Sequence, residues 1–305
     1  MKVKPSINDK LTLIGVALEL GASTKGISLG PAAMRYAGVV ERLENIGYEV
    51  EDRGDIIARK QTTQSSSTTT LKNLDEVARV NEILCEEVSM AMSKGRFPLT
   101  LGGDHSLAIG SIAGVLQHKE NPGLIWFDAH GDINTEDTSP SGNIHGMPVA
   151  VALGLGNERL VSIGGKDKKL KTENIVYVGC RDLDPGERKA LKELNIAVFT
   201  MHEIDRYGMT EVIEQAIKIA TVGTDGIHVS FDIDTMDPFY ASGTGTRVPG
   251  GLTYRESHLA LEMVALTGKL ISADFVEINP LIDNQNQTAK TAVALIGSLM
   301  GEWLI

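Results

Sequence analysis

Three side chains that commonly bind metal ions follow a short apolar run in this sequence. Leu124-Ile125-Trp126-Phe127 is apolar throughout, and Asp128, His130 and Asp132 come after it at every second position. An uninterrupted apolar run is typical of a strand buried on both faces of a parallel sheet. In extended backbone, every second side chain points the same way. The spacing predicts that the three converge at the strand's carboxyl end, where α/β folds bind ligands.

Polar side chains follow other apolar runs in the same way. The run from Ile227 to Phe231 is followed by Asp232 and Asp234, a Gly-Gly turn precedes His105, and Glu277 ends a further run. A solvated acidic loop is the alternative interpretation of the stretch from Asp128 to Asp132, and a structural histidine is the alternative for His105. Buried carboxylates without a partner are destabilising, so a bound cation is the simpler explanation when several strands end this way.

The charges of these side chains balance for two divalent cations. Four carboxylates supply a charge of −4, and two imidazoles add neutral nitrogen ligands: Asp128, Asp132, Asp232, Asp234, His105 and His130. A site rich in oxygen ligands favours manganese, magnesium or iron over thiol-binding metals. Two cations about 3.5–4 Å apart can share a water molecule and lower its pKa towards neutrality. The pattern therefore predicts a hydrolase.

Two further residues indicate the substrate class. Glu277 is a strand-end carboxylate that the cation pair does not need, and it would bind a planar guanidinium and repel a phosphate. His145 lies shortly after the metal-binding stretch and could carry protons to a leaving amine. Packing of a loop is the alternative interpretation of His145.

Composition narrows the class of protein. The chain has 305 residues, 42% of them hydrophobic, and a net charge of −11, which argues against nucleic acid and anionic membranes as partners. Cys85 and Cys180 lack metal-type spacing and suggest a reducing compartment. The first residues do not resemble a signal peptide, and no apolar run is long enough to cross a bilayer. We expect a cytoplasmic protein.

Predicted strands and helices alternate along the chain, which indicates a parallel sheet with helices on its faces. We expect strands at residues 11–16, 48–50, 98–101, 124–128, 175–180, 196–199, 227–231 and 270–276. We expect helices at residues 31–47, 71–94, 187–194, 210–220, 254–266 and 289–303. The glycine-rich loop from Gly21 to Gly30 lacks dinucleotide-binding spacing, and the polar tract at residues 61–70 is expected to be a surface loop. Periodicity alone does not distinguish an open sheet from a barrel.

Taken together, these motifs resemble the ureohydrolase family, and within it the arginases. The motifs are Gly102-Gly103-Asp104-His105, Asp128 to Asn134, Ser141 to Gly146, Ser230 to Asp234, Gly250 to Glu256, and Glu277 to Pro280. The resemblance implies one domain over residues 1–305 with a three-layer α/β/α fold and an eight-stranded parallel sheet. It implies two Mn²⁺ ions and hydrolysis of L-arginine to L-ornithine and urea, by attack of a bridging hydroxide on the guanidinium carbon. It also suggests a homo-oligomer, a trimer or hexamer.

The resemblance also assigns roles. One ion would be held by His105, Asp128, Asp132 and Asp232, and the other by Asp128, His130, Asp232 and Asp234. Asp132 would orient the hydroxide and pass on its proton, Glu277 would bind the guanidinium with Thr246 nearby, and His145 would shuttle protons. The amino-acid end of the substrate would be read by Asn134, Ser141, Asn143, Asp184 and Glu187. Asn134 and Ser141 bear on the choice between an arginase and an agmatinase of the same family. Agmatine, the substrate of an agmatinase, lacks the α-carboxylate, so a site built for it would not need these two residues.

Some positions depart from the family pattern, and other functions remain open. The departures are the absence of an arginine in Thr24-Lys25-Gly26, together with Thr235, Arg247 and Pro249. Because Arg247 neighbours Thr246, these departures make substrate affinity less certain than metal binding. The alternatives are an agmatinase or guanidinobutyrase, a deacetylase of related fold with one zinc ion, and a metal-binding scaffold without activity. The complete set of ligands and Glu277 argues against the last two.

Overall fold

The fold is built on one open sheet. The computed structural model describes residues 9–59 and 70–303. The strands of this part of the chain are β1 Lys10–Ala17, β2 Glu49–Ile57, β3 Phe97–Leu101, β4 Gly123–Phe127, β5 Ile175–Cys180, β6 Ala197–Thr200, β7 Ile227–Asp232 and β8 Leu270–Val276. All pairings are parallel, in the order β2-β1-β3-β8-β7-β4-β5-β6. With β2 and β6 at its edges the sheet does not close into a barrel, and the predicted eight-stranded sheet is confirmed.

Helices cover both faces of this sheet. They are α1 Gly30–Tyr36, α2 Val39–Asn45, α3 Leu74–Ser93, α4 Ala108–Val115, α5 Pro148–Ala152, α6 Glu158–Val161, α7 Pro185–Glu193, α8 Met201–Tyr207, α9 Met209–Thr221, α10 Tyr254–Leu266 and α11 Gln287–Leu299. One buried apolar cluster joins the sheet to α1, α2 and α8 to α11, and two others join it to α3 to α7. The result is the three-layer α/β/α arrangement. Among the helices of residues 9–59 and 70–303, none has the length and apolar character needed to cross a bilayer.

Strand β4 shows why an unbroken apolar run was a reliable strand signal. Ile125 and Phe127 pack into the cluster on one face of the sheet, and Leu124 and Trp126 into the cluster on the other. All four side chains are fully buried, so neither face of the strand contacts water. An apolar residue is therefore favoured at every position of β4.

Two predicted elements differ most from the structure. The helix expected over residues 31–47 is divided into α1 and α2, because Gly38 adopts a left-handed φ of 87° between them. Strand β2 extends to Ile57, well beyond residue 50, but it is an edge strand with largely exposed, charged side chains, so it shows no hydrophobic signal. Residues 61–69 of the polar tract lie outside the described residues, so the surface-loop prediction is not tested there.

The strands that precede the predicted ligands are neighbours at the centre of the sheet. His105 follows β3, Glu277 follows β8, Asp232 ends β7 and Asp128 follows β4, and the order β3-β8-β7-β4 is continuous. Strands β3 and β4 follow one another in sequence but are separated in the sheet by β8 and β7, which come later in the chain. The strand order therefore reverses at this point. Ligand sites in open α/β sheets form at the carboxyl ends of strands beside such a reversal of strand order.

Candidate metal centre

Three carboxylates from two other strand ends surround one nitrogen of His105. Its Nδ1 atom lies 3.1 Å from the Oδ2 atoms of Asp128, Asp132 and Asp232. The His105 ring is fully buried, and this Nδ1 atom has no hydrogen-bond partner. Adjacent ligand atoms about 2.1 Å from one octahedral cation are separated by about 3 Å. The four donor atoms therefore fit around a divalent cation.

Neighbouring side chains fix the orientation of the His105 ring. Its Nε2 atom lies 2.8 Å from the Ser230 hydroxyl, and its face stacks on Trp126 with the ring centres 4.0 Å apart. With Nε2 occupied by Ser230, Nδ1 is the nitrogen available to a metal. The indole of Trp126 also donates a hydrogen bond to Asp128, so the same ring supports two of the candidate ligands.

A second group of ligand atoms shares Asp128 with the first. The Nδ1 atom of His130 lies 3.3 Å from Oδ1 of Asp128 and 3.2 Å from Oδ2 of Asp234. Asp128 therefore presents one carboxylate oxygen to each group. Both groups, His105 with Asp128 and Asp132 and Asp128 with His130 and Asp234, meet the distance requirements of a metal site. In Asp232, Oδ2 faces the first group and Oδ1 accepts a hydrogen bond from the Asp234 amide.

The candidate ligands Asp128, His130 and Asp132 lie close together, but not because they alternate along a strand, as was predicted. Strand β4 ends at Phe127, so Asp128, His130 and Asp132 lie in a loop, and Asp132 has a left-handed φ of 48°. The Asp132 amide donates to Glu187, which holds this conformation. Asp234 lies in a 3-10 turn over Ile233–Thr235, and Glu277 also has a positive φ of 64°. Such left-handed residues are uncommon outside glycine and cluster at functional sites.

The buried charges perturb one another strongly. Burial, with Asp234 and Asp128 close by, raises the pKa of Asp232 well above its ordinary value. Burial and Asp128 likewise raise the pKa of Asp132 to about 6. Burial opposes protonation of His105, but the three carboxylates of Asp128, Asp132 and Asp232 close to its ring raise its pKa well above the ordinary value. Carboxylates packed this closely need a compensating positive charge, and divalent cations would supply it.

Glu277 and His145 form a pair beside the His105 group. Glu277 is 1% exposed, and its Oε1 atom accepts a hydrogen bond from the His105 amide and lies 3.1 Å from Nδ1 of His145. Its Oε2 atom is buried without a partner. Burial favours neutral His145, but Glu277 outweighs it and raises the pKa of His145 to about 9. The free oxygen of Glu277 leaves one acceptor for a donor-rich cation such as a guanidinium.

A cavity of about 210 Å³ opens over these groups and contains most of the predicted substrate residues. Those that line it are His130, Asp132, His145, Asp232, Asn134, Ser141, Asn143, Asp184, Glu187 and Thr246. Glu277 contacts His145 but is not itself part of the lining. Four lining residues were missed by the sequence analysis: Ser139, Pro140, Gly146 and Asp182. Ser139, Pro140 and Gly146 lie beside or within the motif Ser141 to Gly146, and Asp182 lies two residues before Asp184, so proximity in sequence was the available signal.

Several lining residues already bind one another. Asn134 donates from Nδ2 to Asp184 and accepts at Oδ1 from Thr138, at 2.7 and 2.8 Å. Asp184 and Glu187 form the capping box at the start of α7, and Glu187 also accepts from the Asp132 amide. Burial, with Asp132 close by, raises the pKa of Glu187 to about 7. Helix α7 therefore connects the far side of the cavity to the loop of candidate metal ligands at residues 128–132.

The residues that depart from the family pattern lie at the edges of the site. Arg247 donates to the Ile282 carbonyl, so its charge is tethered beside the turn that follows Glu277. Thr235 is fully buried, and its hydroxyl occupies the space where a Cβ atom on Gly179 would lie. Nearby, Arg181 donates to the carbonyls of Asp234 and Thr235, a role that its position directly after the apolar strand β5 did not reveal.

Comparison with known proteins identifies the family of this site. The family model described as the arginase family matches residues 9–301. An arginase of Bacillus caldovelox is 53% identical over 296 residues, which cover 97% of this chain and 99% of that protein. Its native structure superposes with a TM-score of 0.94, at 53% identity over 97% of this chain and 99% of that one. Entamoeba histolytica arginase in complex with L-ornithine superposes with a TM-score of 0.88, at 39% identity over 96% and 99% of the two chains. A likeness that spans both sequences and includes the strands holding the metal-type ligands shows that this chain belongs to the arginase family.

Proposed function

We propose that this chain is an arginase, which hydrolyses L-arginine to L-ornithine and urea. The observation that supports this most directly is the pair of ligand groups joined through Asp128, with the buried carboxylate Glu277 beside them. Two cations held side by side suit hydrolysis, and a buried carboxylate with one oxygen free of partners suits a guanidinium. The names of the relatives agree with this chemistry.

We propose Mn²⁺ as the metal, with two ions per chain. His105, Asp128, Asp132 and Asp232 would hold one ion, and Asp128, His130, Asp232 and Asp234 the other. All but two of these donors are carboxylate oxygens, and the two imidazoles complete a set that suits manganese better than a thiol-preferring metal. When bound, the metal pair lowers the pKa of a shared water and so supplies a hydroxide nucleophile at neutral pH.

The protein side chains would position the reactants and move protons. Glu277 would bind the guanidinium so that its carbon faces the nucleophile, and Thr246, which donates to Asp234, would border it. Asp132 would accept a hydrogen bond from the nucleophile and then pass the proton to the leaving amine. His145, on the cavity wall and hydrogen-bonded to Glu277, would exchange protons with solvent.

The amino-acid end of the substrate would lie along the opposite wall. Asn134, Ser141 and Asn143 would read the α-carboxylate, and Asp184 and Glu187 the α-ammonium, directly or through water. The alternative is another amidinohydrolase, an agmatinase or guanidinobutyrase, whose substrate lacks part of this end. A wall that provides polar partners for an α-carboxylate favours arginine, since an analogue without that group leaves buried polar groups unpaired.

Urea release from a panel of guanidino compounds tests the proposal. The purified protein would be loaded with Mn²⁺ and assayed with L-arginine, agmatine and 4-guanidinobutyrate. We expect kcat/KM for L-arginine to exceed the others by about 10³ or more, given the size of discrimination available to a site that hydrogen-bonds its substrate. Equal turnover of agmatine would refute the arginase assignment. Asp128→Asn serves as the control for metal dependence, because it weakens both ligand groups.

Family membership suggests three further properties of the whole protein. We propose that residues 1–305 form a single domain, that the protein acts in the cytoplasm, and that it assembles as a trimer or hexamer. Analytical ultracentrifugation of the Mn²⁺-loaded protein would test the assembly, and a monomer at micromolar concentration would contradict it.

A further inference from the structure

A lysine that the sequence analysis did not single out contacts the cavity wall. The backbone amide of Lys72 donates to the Gly142 carbonyl at 3.0 Å, and its Nζ atom lies 2.9 Å from Oδ1 of Asn143. The same ammonium lies 3.4 Å from the Ser23 hydroxyl. Lys72 is thus attached through backbone and side chain to the loop that holds Ser141 and Asn143.

These contacts determine which way the Asn143 amide points. An ammonium can only donate hydrogen bonds, so the Asn143 atom that faces Lys72 must be the oxygen. The Ser23 hydroxyl donates to the same oxygen at 3.0 Å. Asn143 lines the cavity, and the contacts with Lys72 and Ser23 are both made by its oxygen, so neither of them uses the Nδ2 group. Lys72 therefore leaves an N–H donor of Asn143 available to a ligand in the cavity.

The charges of the cavity explain why a cation is needed at this position. The lining residues include neither lysine nor arginine. Five of them carry carboxylates: Asp132, Asp182, Asp184, Glu187 and Asp232. Two of the five would be neutralised by metal ions. The other three suit an α-ammonium group and would repel an α-carboxylate. Lys72 brings a positive charge to the side of the cavity where Asn143 and Ser141 lie.

We propose that Lys72 is a specificity residue for the α-carboxylate of the substrate, acting through Asn143 and through its own charge. This inference rests on the proposed arginase function and names a residue outside the site described above. Lys72 is a positioning residue, because its ammonium contacts Asn143 and not the reacting atoms. Its substitution should weaken binding of the amino-acid end and leave the chemistry at the guanidinium unchanged.

The test uses variants of Lys72 and two substrates that differ at one group. Lys72→Met removes the charge and keeps the stem, and Lys72→Arg keeps the charge. Lys94→Met is the matched control, because Lys94 follows the far end of the 20-residue helix α3, about 30 Å away. L-arginine and L-argininamide share the guanidinium and the α-amino group, but only L-arginine has an α-carboxylate.

We expect Lys72→Met to lower kcat/KM for L-arginine about tenfold through KM, with kcat unchanged, since a partly exposed charge contact and one oriented donor are lost. Turnover of L-argininamide should not change, Lys72→Arg should recover part of the loss, and Lys94→Met should match the wild type. The KM for L-arginine should also rise with salt in the wild type and respond less in Lys72→Met. An unchanged preference between L-arginine and L-argininamide in Lys72→Met would overturn the inference.

Binding of the reaction product provides a second readout that does not need turnover. Calorimetry with L-ornithine and 1,4-diaminobutane, which lacks the carboxylate, should show weaker binding of L-ornithine alone in Lys72→Met. Equal weakening of both ligands would indicate a general disturbance of the loop and would also overturn the inference. Failure of the wild type to release urea from L-arginine would refute the proposed function itself, which separates the two failures.

Discussion

Replacement of Glu277 by glutamine separates guanidinium binding from metal binding. Oε1 of Glu277 accepts from the His105 amide, and a glutamine carbonyl can accept the same bond, so the loop that holds His105 should stay in place. Oε2 is buried without a partner, and in the variant this position becomes an NH₂ group, which would face the proposed guanidinium with donor against donor. The variant should therefore retain both metal ions and have a much lower kcat/KM for L-arginine.

The size of the effect follows from the burial of Glu277. Its carboxylate is 1% exposed, so its interaction with a cation is desolvated and poorly screened. Removal of one partner from a buried, hydrogen-bonded charge pair costs about 2–5 kcal/mol, which corresponds to a loss of about 30-fold to about 4,000-fold in kcat/KM. The matched control is Glu173→Gln, the same chemical change at an exposed side chain before the amino end of β5.

Urea release and metal content, measured on the same preparation, test this reasoning. We expect Glu277→Gln to hold as much manganese as the wild type and as Glu173→Gln, with kcat/KM reduced as calculated. Loss of metal from Glu277→Gln would mean that Glu277 is a metal ligand. Full metal content with unchanged kcat/KM would mean that Glu277 does not bind the guanidinium.

Three further variants test other parts of the argument. Arg181→Lys should weaken manganese binding about tenfold in a metal titration, because Arg181 donates to the Asp234 carbonyl and an ammonium cannot reproduce its planar set of donors; unchanged affinity would rule out this support. Asn134→Ala should reduce the preference for L-arginine over agmatine, measured as a ratio of kcat/KM, and a preserved ratio would contradict the assigned role. His258→Asn should flatten the pH dependence of stability in urea unfolding between pH 7 and pH 4.5. Burial, with Arg255 and Arg42 nearby, lowers the pKa of His258 to about 4, so the unfolded chain takes up the proton first. About 2–3 kcal/mol of stability is then present above pH 6.5 and lost as the pH falls towards 4, and parallel curves for variant and wild type would contradict this.

Much of the sheet could be predicted because strands buried on both faces have uninterrupted apolar sequences. β5 and β8 have the predicted bounds, β7 is one residue longer at its carboxyl end, and β4 is shifted by one residue towards the amino end. The length of β2 beyond residue 50 could not be recognised, because an edge strand exposed to water can consist of charged residues and still pair through its backbone. The division of the helix at Gly38 was equally hidden, since an isolated glycine is compatible with either a helix or a break.

The sequence by itself determined which side chains could bind metal and that they follow strands, because chemistry depends on residue type and parallel strands end at a common edge. Only the tertiary structure decided that β3, β8, β7 and β4 are neighbours, which brings His105 within 3.1 Å of three carboxylates. It also replaced the expected strand alternation by a loop in which Asp132 has a left-handed backbone. The contact of Lys72 with Asn143 joins residues 71 positions apart, and such a contact depends on how the layers pack, which no local pattern of residues encodes.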